Sequence, residues 1–133
     1  MTPLEVVTRL TERMSALDAN GALECFDDDA RAEIMLLPGF VEPNHEDYGD
    51  IARAMKWGIK QFARWNITIT EVWGTTDPEI CITEWESEGD LVDGRTYANR
   101  YVHIMRVVDD KITFWREYGH PEPLEIFLGH PNR

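Results

Sequence analysis

Apolar residues fall at helical spacing in the first half of this chain and alternate in the second. Leu4, Val7, Leu10, Met14 and Leu17 predict an amphipathic helix over TPLEVVTRLTERMSALD. Thr2 as N-cap, Pro3 at the first helical position and Glu5 in a capping box mark its start, and Asn20 with Gly21 break it. ALECF reads as one more short helical piece, Asp27, Asp28 and Asp29 as a solvated loop, and RAEIMLLP as a first strand. Pro38, Gly39, Pro43 and Asn44 then predict a loop. From Asp47 to Arg64 the helical period returns, with Ile51, Met55, Ile59 and Phe62 as its stripe and Trp57 and Trp65 widening it.

Past that point the period becomes two. WNITITEVW alternates and is rich in β-branched residues, GTTDPE reads as a turn, and ICITEWESE as the next strand. GDLVDG is a loop, RTYANRYVHIMRVV a long strand, Asp109 and Asp110 a tight turn, and KITFWREY the return. Helices gathered ahead of a strand meander predict an α+β class, with residues 1–133 as one domain.

The long strand is unusual on both faces. One parity holds Tyr97, Asn99, Tyr101, His103, Met105 and Val107; the other holds Thr96, Ala98, Arg100, Val102, Ile104 and Arg106. A half-exposed strand shows one mostly polar face, and neither parity does. Helices can cover one face, and a second copy of the chain can cover the other, so a homodimer through the sheet is expected, with a tail or loop folded over that face as the alternative. The odd parity sets two phenols, an amide and an imidazole between apolar neighbours. Buried polar groups cost about 1–3 kcal/mol each unless they are hydrogen-bonded. The row therefore predicts either a satisfied network or a pocket for a small molecule.

Glu117 stands near the end of the last strand, sharing a parity with Thr113 and Trp115. A two-residue turn at Asp109–Asp110 pairs Val108 with Lys111 and puts Val102 opposite Glu117. A longer turn or a bulge shifts the pairing by one and brings the odd residues together. Asp-Asp lacks the glycine of the strongest hairpin turns, so the sequence leaves both registers open. In one, Glu117 pairs with Arg116, Arg100 or Arg106 at the sheet edge. In the other it enters the pocket, where loss of water disfavours a charged carboxyl and lets it exchange a proton near neutral pH. A tyrosine beside it, Tyr97 or Tyr101, can then donate to a developing oxyanion.

Composition narrows the partners. A net charge of −12 argues against nucleic acid and against an anionic membrane surface. No stretch approaches the roughly 20 apolar residues of a membrane helix. MTPLEVVTRL has neither a basic start nor an unbroken apolar run, so no leader is expected. Cys25 and Cys81 lack the spacing of a zinc site or a disulfide framework, which suggests reduced thiols and a cytoplasmic location. The histidines His45, His103, His120 and His130 show no ligand spacing, and no metal or cofactor is expected. His45, in the loop before the second long helix, is a candidate for the pocket mouth, and Trp115 for the pocket wall. In the tail, Leu124, Phe127 and Leu128 with Gly129 as terminator predict a short helical turn packed over the pocket's open end.

The segments TTDPEICITEWESEG and TYANRYVHIMRVVDDKITFWREYGHPEPLEIFLG resemble the SnoaL-like branch of the NTF2-like superfamily, and are most similar to its phenazine biosynthesis A/B proteins. The shared features are an aspartate-proline turn before an acidic strand, a tyrosine-rich strand running into a tight turn, and an Arg-Glu-aromatic sequence followed by proline. The resemblance implies a conical α+β barrel, an antiparallel-rich sheet curved around N-terminal helices, with an internal pocket and a dimer through the sheet. It implies Glu117 as the acid/base with Tyr97 facing it, and therefore the odd-parity register. Metal and organic cofactors are absent from the relatives' chemistry. GDLVDGRTY is shorter than the corresponding phenazine-protein loop, and no arginine is matched to hold a substrate carboxylate. The expected activity is that of an isomerase, cyclase or condensation catalyst on a small carbonyl-bearing, cyclic substrate. Glu117, Tyr97 and His103 would do the chemistry, and Asn99, Tyr101, Trp115 and His45 would bind. A binding module or protein adaptor on the same frame is the alternative.

Overall fold

The computed structural model describes residues 1–35 and 44–128. Helices α1 (Pro3–Ser15) and α2 (Ala19–Leu23) precede β1 (Phe26–Met35) and a short β2 (Asn44–Glu46). Helix α3 (Tyr48–Lys60) leads into β3 (Phe62–Gly74), β4 (Ile80–Leu91), β5 (Thr96–Val108) and β6 (Lys111–Gly119), followed by α4 (Pro121–Leu128). The six strands form one curved mixed sheet in the order β2-β1-β6-β5-β4-β3, with β1 parallel to β6 and every other pair antiparallel. The architecture is α+β, as expected.

Local chemistry explains the helices. Thr2 and Glu5 form the capping box, with Pro3 in the first turn. Val6, Val7, Leu10, Thr11 and Met14 are buried against the sheet, while Leu4 is exposed. Leu17 takes a left-handed backbone (φ 59°) and ends α1, and Asp18 then caps α2 by accepting from Gly21 N. The break thus comes ahead of Asn20 and Gly21, which lie inside α2. Asp47 caps α3, again in a capping box.

Three segments depart from the sequence pattern. The stripe assigned to the second long helix runs two side chains too far: Phe62 and Trp65 belong to β3, where they pair with Leu91 and Gly89. Asp27–Asp29 lie within β1 and not in a separate loop. Their backbone is skipped by the ladder, since Phe26 lies opposite Ile112 and Arg31 opposite Phe114. The edge strand β2 is too short to leave a periodic signal. The expected loop at Pro38, Gly39 and Pro43, the His45 side chain, and Gly129 with His130 lie outside the described residues.

The β5–β6 hairpin decides the site. Asp109 and Asp110 are both left-handed, at φ 50° and 66°, and they join Val108 to Lys111 in a two-residue turn. Thr113 is then extra: Val107 pairs with Ile112 but Arg106 pairs with Phe114. That bulge carries Met105 opposite Trp115 and His103 opposite Glu117. The short turn and the shifted register, set out as alternatives from the sequence, occur together. Aspartate tolerates the left-handed region at some cost, and Asn-Gly suits such a turn better. Exchanging Asp109–Asp110 for Asn-Gly is therefore expected to stabilise the fold by about 1 kcal/mol. The ion pair of Asp110 with the Met1 amino group is lost, but it lies in water and contributes little. A rise of a few degrees in the thermal midpoint is the expected reading; a fall would show that the pair outweighs the backbone.

Candidate active site

The odd parity of β5 and the matching positions of β4 and β6 face the helices. Along β5 the buried residues are Tyr97, Asn99, His103, Met105 and Val107, with Tyr101 half-buried among them. Between this face and α3 lies a cavity of about 300 Å³. Its wall is almost wholly apolar, with Phe62, Trp65, Trp85 and Trp115 as the large rings. Tyr97, Tyr101, His103 and Glu117 supply its polar groups. This is the composition of a small-molecule site, where a few polar atoms orient a ligand held by hydrophobic area.

Glu117 is about one-fifth exposed and its Oε1 lies 2.8 Å from His103 Nε2. The imidazole is clamped between Trp85 and Trp115, at ring-centroid distances of 4.1 and 4.3 Å, and it stacks on Tyr101. Its Nδ1 is buried without a hydrogen-bond partner among the described residues. A bare lone pair at that atom costs less than a stranded N–H. The proton therefore belongs on Nε2, which donates to Glu117 and holds it as an acceptor. The second carboxylate oxygen, Oε2, has no hydrogen-bond partner among the described residues, and the side chain faces the cavity.

The two phenols are hydrogen-bonded to each other. Burial pushes both above the usual tyrosine range, Tyr101 strongly, and the charge of Glu117 acts on both in the same direction. They stay protonated and available as donors. Asn99 stands behind them and is not part of the cavity wall. Its Nδ2 donates to Tyr97 (2.9 Å) and to the His120 carbonyl (3.2 Å), and its Oδ1 accepts from Arg100 N (2.7 Å) and His120 N (3.2 Å).

The sequence reading placed Glu117, Tyr97, Tyr101, His103 and Trp115 in one site, and all five line the cavity. Leu124 and Phe127 of α4 also line it, and Phe127 packs against Trp57, Phe62 and Tyr97. The β4 contribution was missed. Thr83, Trp85 and Ser87 are buried on the inner face, while Glu86 and Glu88 point to water. The outward glutamates are the conspicuous residues of this strand, and the opposite parity held the signal. Trp73, by contrast, stands on the outer face, 52% exposed. Among the described residues no cluster of three or more His, Cys, Asp or Glu is placed to hold a metal ion.

Solved structures of other proteins share this fold. A candidate isomerase from Bacillus subtilis superposes with a TM-score of 0.84 at 22% identity, covering 95% of this chain and 91% of that one. A Mycobacterium tuberculosis protein solved in complex with estradiol-17beta-hemisuccinate gives 0.74 at 19%, covering 89% and 94%. A Catenulispora acidiphila protein with a ketosteroid isomerase-like fold, solved with trimethylamine, gives 0.71 at 15%, covering 92% and 88%. At these identities the likeness establishes the fold. No functionally curated protein matches the sequence. The family profile of the SnoaL-like domain matches residues 7–115, and the chain belongs to that family.

Proposed function

We propose that this protein is a cofactor-independent acid/base enzyme, an isomerase, cyclase or condensation catalyst acting on a small, cyclic, carbonyl-bearing substrate. One observation carries the reading: a glutamate oriented by His103 shares an aromatic cavity with two protonated phenols. Glu117 Oε2 takes a proton from the carbon next to the carbonyl. The C–H electron pair becomes the C=C bond of the enolate, the carbonyl π pair moves onto oxygen, and a phenol donates to that oxygen. Return of the proton from Glu117 to another carbon completes an isomerisation. Addition of the enolate to a second carbonyl carbon forms the new C–C bond of a cyclisation, the proton held by Glu117 passes to the resulting alkoxide, and loss of water completes a condensation. Neither course needs a redox partner. A phenazine-type condensation, in which an amine adds to the carbonyl carbon and water leaves, would draw on the same carboxyl and phenols without an enolate, and the positions of Glu117 and Tyr97 support it.

The cavity speaks against a pure protein adaptor, which needs none. The test is solvent exchange. Cyclic ketones such as 1-tetralone, incubated with the protein in deuterium oxide, should gain deuterium beside the carbonyl faster than in buffer alone. A binding module would quench tryptophan fluorescence with the same ketones and exchange nothing.

The reading includes a dimer through the outer sheet face. Trp73, Ile82, Ile104, Arg116 and Glu33 form one row across five strands, flanked by Val102, Tyr118 and Phe114. Its ion pairs, Arg116–Glu33, Arg100–Glu86 and Arg106–Asp77, set both signs around an apolar centre. A two-fold-related copy would meet complementary charge on that rim, so a second copy is the proposed occupant. Ile104→Glu should raise the dimer dissociation constant by about 100-fold or more, read by analytical ultracentrifugation. A native chain that sediments as a monomer would sink the assignment. With Cys25 and Cys81 both free and buried, a cytoplasmic location fits the same reading.

A further inference from the structure

Among the described residues that line the cavity, Glu117 alone carries a charge, and no lysine or arginine among them stands beside it. The cations of the neighbouring strands are engaged on the outer face. Arg100 pairs there with Glu86, Arg106 with Asp77 and Glu79, and Arg116 with Glu33. His103 does not balance the acid either. Its Nδ1 is buried without a hydrogen-bond partner, so the ring is neutral and gives Glu117 a hydrogen bond but no charge. The phenols of Tyr97 and Tyr101 keep their protons and add no second negative charge. The cavity therefore holds the charge of one carboxylate, with Oε2 free of a hydrogen-bond partner among the described residues.

That carboxylate is about four-fifths buried. Most of its water has been given up on folding, so a cation arriving beside it loses chiefly its own hydration. The walls complete a cation site. Trp85 and Trp115 flank the imidazole that holds Glu117, at ring-centroid distances of 4.1 and 4.3 Å, and both line the cavity. Tryptophan faces attract a cation within about 6 Å. Phe62, Trp65 and Phe127 stack beside one another and offer flat apolar surface to a hydrocarbon body. A volume of about 300 Å³ suits a fused bicyclic amine. At longer range, the net charge of −12 draws cations toward the chain.

We infer that the cavity is also a cation site: it binds a protonated amine borne on a small cyclic skeleton, with the ammonium N–H donating to Glu117 Oε2 and the rings lying among the tryptophans. Amine binding goes beyond the carbonyl chemistry and does not depend on it. The two meet at one atom. An Oε2 engaged by an ammonium group cannot take a proton from carbon, so a bound amine should block ketone exchange.

The probes are 1-aminotetralin, protonated at neutral pH, and 1-methyltetralin, which sets a methyl group in place of the ammonium. Affinity is read by tryptophan quenching. The native chain should hold the amine about tenfold more tightly than the hydrocarbon, and the amine should compete with 1-tetralone. Glu117→Gln should weaken the amine by about 100-fold, the effect of losing one partner of a buried charge pair. The same variant should bind 1-methyltetralin and 1-tetralone within about twofold of native, which shows its cavity intact. Raising salt to about 0.5 M should change native amine affinity by less than about threefold, because a pair walled off from water is little screened. Equal affinity for amine and hydrocarbon in the native chain, or binding of neither, would overturn the cation site. So would native amine affinity in Glu117→Gln or its loss in salt, either of which would move the amine to the acidic surface. A Glu117→Gln variant that loses amine, hydrocarbon and ketone alike would overturn it too, since charge would not be what the ligand reads. Amine binding without deuterium exchange on ketones would instead sink the catalytic reading and leave the cation site standing, and exchange without amine binding would do the reverse.

Discussion

Glu117→Gln is expected to bind the same cyclic ketones as the native chain and to exchange their protons with solvent about 10²–10⁴-fold more slowly. The loss corresponds to roughly 3–5 kcal/mol of transition-state stabilisation. The substitution changes little else. Gln keeps the length and shape of Glu, and its amide oxygen can still accept from His103 Nε2, which is 2.8 Å from the carboxylate in the native structure. The aromatic clamp around His103 is untouched, since Trp85 and Trp115 hold the ring and not the acid. Thermal stability should thus stay within about 1 kcal/mol of native. The affinity and the carbonyl stretch of bound 1-tetralone should also hold, because the phenols make that contact. What disappears is the proton acceptor: a neutral amide cannot take hydrogen from carbon. Native exchange rates in this variant would remove Glu117 from the chemistry. A collapse of binding along with rate would assign it to ligand positioning instead.

The parity of β5 made this site legible before its geometry was known. Two phenols, an amide and an imidazole on one face are not a core, and the strand period sent them all the same way. The start of α1 was equally legible, because its capping box is written within four consecutive residues, Thr2 to Glu5. The hairpin register was not. Its short turn uses two aspartates in a conformation that sequence assigns to glycine and asparagine, and its bulge at Thr113 has no residue signature at all. Register there follows from packing: one residue of slip would put the charged Glu117 side chain outside and Arg116 against the tryptophans. The end of α3 was hidden for a related reason. Phe62 and Trp65 continue the helical stripe by spacing, yet sheet pairing and ring stacking claim them, with their ring centroids 4.3 Å apart and their planes 4° from parallel. The inner face of β4 was concealed by the conspicuous acids on its outer one.

Gly89→Ala is expected to be the most damaging small substitution around the cavity. Gly89 lies between Trp65 of β3 and Tyr97 of β5 in the ladder. A Cβ built on it would stand 2.3 Å from the Arg64 carbonyl oxygen and 3.0 Å from the Phe62 ring. The backbone angle is not the reason, since Gly89 is not among the residues with positive φ. The space is. A flexible side chain could step aside, but a carbonyl in a β ladder cannot move without dragging its strand. Separation of β3 from β4 at this point would displace Phe62, which stacks on Trp65 and packs edge-on against Tyr97. A cost of about 3 kcal/mol is expected, the upper range for overpacking. It should appear as a lower urea midpoint with unchanged slope. Ketone affinity should fall in the same variant, because Tyr97, one of the two phenols on the cavity wall, leans on the displaced ring. Gly74→Ala is the matched control: nothing lies within 4 Å of its added Cβ, and its stability should change by less than about 0.5 kcal/mol. If both variants melt alike, the close approach of β3 to β4 does not hold the cavity wall. If Gly89→Ala melts early yet binds 1-tetralone as tightly as native, the wall and the donor are independent.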